Sequence, residues 1–208
     1  MSAVIPNVDF VKNELNNNKE RILSCSTNNE INYIFIDIFN TYCILFQTSE
    51  LPTSTCSNIE WSIHNGFTSA NKIVMITFGA EFISKFYEFA KLKWKNFCSS
   101  IEMMIGHEFI HVYQLHKIPE SISIKEFNLK STDIDYLSNK HEICAFAYQA
   151  VQEFKLNGLA YNDIIEGIKK PSKLIYDSDV FWSYIYYFNL GDFVLKRFLN
   201  LIFEYCKL

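Results

Sequence analysis

Ile31-Asn32-Tyr33-Ile34-Phe35-Ile36-Asp37-Ile38-Phe39, followed across Asn40-Thr41 by Tyr42-Cys43-Ile44-Leu45-Phe46-Gln47, is the stretch on which the fold class turns. Its β-branched and aromatic residues suit pleated backbone, where such side chains pack well across a sheet. Two strands separated near Asn40-Thr41 fit the run. A buried helix fits it too, because a short apolar run has no period that separates the two.

On the N-terminal side, Val8, Val11, Leu15, Ile22 and Leu23 recur at roughly helical spacing and predict one helix ending by Ser26. On the C-terminal side, Thr48 to Gly66 is loop-like, with Pro52, several Ser and Thr, and Asn65-Gly66 as a turn. Within it Ile59 to Ile63 alternates as a short strand does. Asn71 to Phe78 reads as a further strand stopped by Gly79, and as an edge strand its free N–H and C=O groups would pair with an extended peptide. Beyond it the pattern is helical: Ala80 to Asn96, Ser99 to His116, Asn139 to Asn157, Asp163 to Lys169, and Asp179 to the C-terminus with a break at Asn189-Leu190-Gly191. The expected class is α+β: a single helix-rich domain over residues 1–208, with a helix and a small sheet in 1–79 and mainly helix in 80–208.

Composition agrees with one folded domain. The chain has 208 residues, 49% hydrophobic and 20% charged, with only 6 Gly and 4 Pro for sharp turns. A net charge of -4 and a pI near 5.7 offer no general positive field for phosphate backbones, so no nucleic-acid partner is expected. The six cysteines contain no C-x-x-C, which argues against a zinc ribbon or a redox dithiol, and most are expected to be buried thiols. Met1 to Phe10 lacks the positively charged start of a secretory signal, and Val180 to Gly191 is too short to cross a bilayer at ~20 residues per span. A cytoplasmic protein with no membrane span is the expectation.

The chemistry concentrates in Ser99-Ser100-Ile101-Glu102-Met103-Met104-Ile105-Gly106-His107-Glu108-Phe109-Ile110-His111-Val112-Tyr113-Gln114. Ser99 and Glu102 have the spacing of a capping box ahead of an apolar helical run. On that helix His107 and His111 lie one turn apart on one side, where two imidazoles can share a metal ion. Glu108 is offset by about 100°, beside the metal rather than on it. This H-E-x-x-H arrangement suits chemistry in which one zinc ion lowers the pKa of a water to ~7 and the adjacent carboxylate, the general base, takes its proton. Two half-buried polar histidines are the plain alternative.

A third ligand is needed. The H-E-x-x-H-x-x-G-x-x-H continuation is absent, since Gln114 and Lys117 stand at the Gly and last His positions and His116 is one residue out of register. Glu142, after 30 intervening residues, opens the segment Lys140-His141-Glu142-Ile143-Cys144-Ala145-Phe146-Ala147 and would complete a His2Glu site with an open fourth position. Asn139 and Glu142 also have capping-box spacing, so two roles compete for this carboxylate, and the neighbouring His141 is an alternative ligand. Tyr136, Tyr148, Tyr113 and His116 are candidates to stabilise an oxyanion, Tyr136 first because it directly precedes the Glu142 helix. Asp133 and Asp135 read as solvated acids or as carboxylates orienting the imidazoles. The aromatic run Phe181 to Phe188 reads as core packing.

Gly106 to Gln114, with Asp135-Tyr136-Leu137-Ser138-Asn139-Lys140-His141-Glu142-Ile143-Cys144-Ala145-Phe146-Ala147, resembles the zincin-like metallopeptidases of phages and other viruses, over at most residues 73–151. Their pattern H-E-x-x-H-x-x-Q with a later Y-L-S-x-x-x-E-I-x-A-x-A implies zinc on His107, His111 and Glu142, a gluzincin-like active-site helix, and a peptide or protein substrate, in a host cytoplasm if the chain is viral. The Asp that often follows the third ligand in gluzincins is absent, as is the G-x-M-E-N segment of aminopeptidases. The expected function is zinc-dependent hydrolysis of a peptide bond. The alternatives are a non-catalytic protein of the same fold that binds a host or partner protein, and an amidase acting on a non-peptide amide.

Overall fold

The computed structural model describes residues 3, 5–42, 44–48, 63–68, 74–78, 90–117 and 133–208. They fall into two compact units, Asn7–Val112 and Met1–Pro6 with Tyr113–Leu208.

The first unit opens with α1 (Asp9–Asn17) and α2 (Lys19–Leu23). The single helix expected here is divided at Asn18, whose side-chain amide donates to the Glu14 carbonyl at 3.0 Å. Val11, Leu15 and Ile22 are fully buried, as the helical spacing requires. Next comes α3 (Asn28–Phe39), where the leading strand expectation fails. Thr27 Oγ1 accepts from the Glu30 amide at 3.2 Å, while Glu30 Oε2 accepts from the amides of Ser26 at 2.6 Å and Thr27 at 3.2 Å. This reciprocal cap satisfies amides that a helix start leaves without intrahelical partners. Ile31, Phe35, Ile38 and Phe39 then bury one stripe at i, i+4, i+7 and i+8, while Tyr33 stays 74% exposed. An alternating strand would have put Tyr33 and Asp37 on the face of Ile31 and Phe35. Instead Asp37 points outward to pair with Arg21 at 2.7 Å.

The expected α+β class is thereby overturned: the described residues are predominantly α-helical. The buried side chains of the described residues come from helices and their flanks, with Ile44 the one described contribution of a strand. Three short strands, β1 (Ile44–Thr48), β2 (Ile63–Thr68) and β3 (Val74–Phe78), pair in the order β1-β3-β2, parallel between β1 and β3 and antiparallel between β2 and β3. β3 is thus central, not an edge strand: neighbours on both sides take up its N–H and C=O groups. Asn65-Gly66, read as a turn, lies inside β2, where the register slips between His64 and Phe67. A glycine within a strand commonly marks such a bulge. The loop and strand expectations for 49–62 and 69–73, the stop at Gly79, and the helix over 80–89 fall outside the described residues.

α4 (Trp94–Lys117) runs unbroken for 24 residues. The expected start at Ser99 is wrong, since Ser99 is buried inside the helix. Its supposed capping partner Glu102 pairs instead with Lys12 of α1 at 2.5 Å. Trp94 Nε1 donates to Asn16 Oδ1 at 2.8 Å, and Phe97, Ile101 and Ile105 join Val11, Leu15, Phe35 and Phe39 in one apolar core.

The second unit comprises α5 (Asp133–Ser138), α6 (Lys140–Leu156), α7 (Tyr161–Lys169), α8 (Asp179–Tyr187) and α9 (Phe193–Lys207). α5 stands where the sequence suggests a simple connection. α6 packs against α8 and α9. Its alanines Ala145, Ala147 and Ala150 are wholly buried, and small side chains let neighbouring elements come close. α6 ends where the pattern places it, in a Schellman motif: Leu159 N bonds to Phe154 O at 3.0 Å, Gly158 N bonds to Lys155 O at 3.1 Å, and Gly158 takes φ 84°. The break between α8 and α9 also falls at Asn189 to Gly191. The run Phe181 to Phe188 is core packing: Tyr184 stacks on Phe198 at 3.7 Å and Phe181 meets Phe154 edge-on at 5.4 Å. Trp182 and Tyr186 face outward. Among the described residues no helix is long and apolar enough to cross a membrane.

Candidate metal centre

His107 and His111 come from successive turns of α4, where their imidazole rings meet edge to face with centroids 5.0 Å apart. Both are buried, at 7% and 4% exposure, and Nε2 of one lies 3.3 Å from Nε2 of the other. Two nitrogens bound to one tetrahedral metal at about 2.0–2.1 Å would stand about 3.3–3.4 Å apart, so the rings are already spaced as the two ends of one edge of such a site. An N–H···N hydrogen bond between them fits the same distance. Glu108 follows His107 on α4 and is also buried, at 5% exposure. Three polar side chains in five residues, sunk where apolar ones predominate, demand partners, and burial of such groups without them is costly.

Glu142 lies in the first turn of α6 and is 6% exposed. His107, His111 and Glu142 each offer one ligand atom, and these atoms all lie within 4.8 Å of one another. The Asn139 side chain caps α6 through the His141 amide at 2.9 Å, one position earlier than a capping box uses, and the Asn139 amide donates to the Tyr136 carbonyl at 3.1 Å. His141 is fully buried beside Glu142 but is not among the three clustered donors.

The other candidates scatter. Tyr136 sits on α5, 46% exposed, edge-on to Phe146 at 5.6 Å. Tyr148 is buried against Tyr205, and Tyr113 is 39% exposed. The His116 side chain lies outside the described residues. Asp133 and Asp135 are exposed, and Asp133 accepts from the Tyr187 hydroxyl at 3.3 Å.

Two further residues lie near Glu142: Tyr184, which the sequence does not single out, and Gln114, which the sequence offers only as a residue that could line the cleft. Tyr184 is fully buried and its hydroxyl donates to the Leu137 carbonyl at 2.8 Å, just ahead of α6. Its phenol is raised well above the ordinary value of 10, chiefly by burial and then by the charge of Glu142. No sequence pattern distinguishes this Tyr from the other rings of its run. Gln114 is 4% exposed and its Nε2 donates to the His141 carbonyl at 3.1 Å. Here a signal existed: His107, His111 and Gln114 stand at i, i+4 and i+7, one stripe of one helix.

Comparison with family models, curated proteins and solved structures returned no match.

Proposed function

We propose that the protein is a zinc-dependent hydrolase that cleaves peptide bonds, with His107, His111 and Glu142 holding one metal ion. The observation that carries this reading is the buried His107–His111 pair, with its 3.3 Å separation of Nε2 atoms and Glu108 buried beside it. Glu142 supplies a third donor within 4.8 Å, and two imidazoles with one carboxylate form a donor set suited to zinc with a position left for water.

A bound zinc ion would supply Lewis acidity to water and to a substrate carbonyl. Glu108 does the proton work: its carboxylate takes a proton from the attacking water and returns it to the departing amine, so that neither a strong base nor a poor leaving group forms. A purely structural metal site has no use for a buried carboxylate beside its ligands, and this favours the enzyme over a non-catalytic binding protein. Tyr136, half-exposed just before α6, is the proposed donor to the developing oxyanion. A peptide as substrate rests on the motif resemblance, which spans Gly106 to Gln114 and Asp135 to Ala147.

Metal analysis of the purified protein tests the reading. The wild type is expected to hold one zinc per chain and to hydrolyse an unfolded protein such as casein. His111→Ala and Glu142→Ala should hold substantially less. A wild type that binds no zinc when dialysed against it, with the histidine pair merely hydrogen-bonded, would overturn the proposal.

A further inference from the structure

Gln114 stands three residues beyond His111 on α4 and is buried, yet it is neither a metal donor nor an acid or base. Its side-chain amide donates to the main-chain carbonyl of His141 at 3.1 Å, across 27 residues of sequence. That carbonyl belongs to the peptide linking His141 to Glu142. It lies in the first turn of α6, which the Asn139 side chain caps through the His141 amide at 2.9 Å. The His141 residue is thus gripped at both ends of its backbone, at N–H by Asn139 and at C=O by Gln114. The contact also joins α4 directly to the turn that carries Glu142.

We infer that Gln114 is a positioning residue for the metal centre, fixing the Glu142 carboxylate through the His141 carbonyl. This rests on the proposed His107, His111 and Glu142 site. A carboxylate on a helix start swings with its backbone, and a buried donor clamped on the adjoining peptide limits that swing. At 4% exposure the Gln114 amide is packed against the first turn of α6 rather than turned to water. Groups that orient ligands in this way typically change metal affinity by about 10–100-fold when removed.

The test is a double-mutant cycle on the full chain, read as zinc affinity by competition with a chromophoric chelator and as the visible spectrum of the cobalt-loaded protein. Gln114→Met keeps the length and removes the donor; Gln114→Asn keeps the amide but leaves it about one bond short, and serves if the Met variant does not fold. Either is expected to weaken zinc binding about 10–100-fold and to shift the cobalt spectrum toward that of Glu142→Ala. In the Glu142→Ala background the same change should alter affinity by less than about twofold, because Gln114 acts through Glu142. Unchanged affinity in the single variant, or an equal loss in both backgrounds, would overturn the assignment to Gln114 while leaving the metal site intact. Absence of zinc from the wild type would instead sink the underlying site.

Discussion

At the scale of single residues, the proposed scheme separates binding from chemistry at Glu108. It follows His107 without being one of the three clustered donors, so Glu108→Gln is expected to retain stoichiometric zinc while hydrolysis falls about 10²- to 10⁴-fold. Zinc content and turnover measured on one preparation check this, and a variant that keeps full activity excludes Glu108 as the base. The thiols give a contrasting expectation. Cys98 is pushed up to about 11, chiefly by burial, and Cys25 and Cys144 are raised by the same cause. Since the thiolate is the reactive form, iodoacetamide at pH 8 should leave these three unmodified in the native protein and alkylate them after denaturation. The candidate residues could be picked out from sequence because H-E-x-x-H sits at helical spacing, and His107, Glu108 and His111 do lie within one helix, all three buried. Tyr184 was not readable, because its importance lies in a carbonyl 47 residues away.

Helix α3 shows which element-level signal outweighs composition. The run Ile31 to Phe39 is rich in residues that suit strands, and the strand reading followed that composition. Thr27 and Glu30 settled the conformation from just outside the run, by a cap whose spacing is visible in the sequence. Thr27→Ala should cost about 1 kcal/mol and lower the melting temperature by about 2–4 °C, measured by circular dichroism. A second element-level prediction concerns α6 and α8. Glu153 of α6 accepts from Ser178 Oγ at 2.5 Å and from Gln149 Nε2 at 2.9 Å. Burial nonetheless raises its carboxyl above the usual 4.5, outweighing these donors. The folded state therefore holds this proton more tightly than the unfolded chain. Its contribution to stability is fully present below pH 4.5 and is lost as pH rises through the raised value. Denaturant titrations of wild type and Glu153→Gln between pH 4 and 7 should show the wild type losing ground to the variant as pH rises; a constant difference would contradict this.

For the whole molecule, ligand binding and folding are one equilibrium. If zinc binds the native chain and not the unfolded one, free zinc at a hundred times its dissociation constant adds about 2.7 kcal/mol of stability. The unfolding temperature should rise with added zinc in the wild type and stay put in the His107→Ala, His111→Ala double variant, as calorimetry would show. Most helices were legible because their apolar stripes are local. The central place of β3 was not, since strand order is a property of pairing that no stretch of sequence carries. The continuity of α4 was also missed: Ser99 looked like a beginning because Ser so often is one, yet at 5% exposure it lies mid-helix. That continuity governs how the histidine turn fluctuates. At 1.5 Å per residue α4 is a rod about 36 Å long, with His107 and His111 both more than a turn from either end. Fraying consumes a helix from its tips, so the peptide hydrogens of these two turns can meet deuterium only through opening of the helix interior. Deuterium uptake at residues 105–111 should therefore be among the slowest in the chain, even before any metal is added.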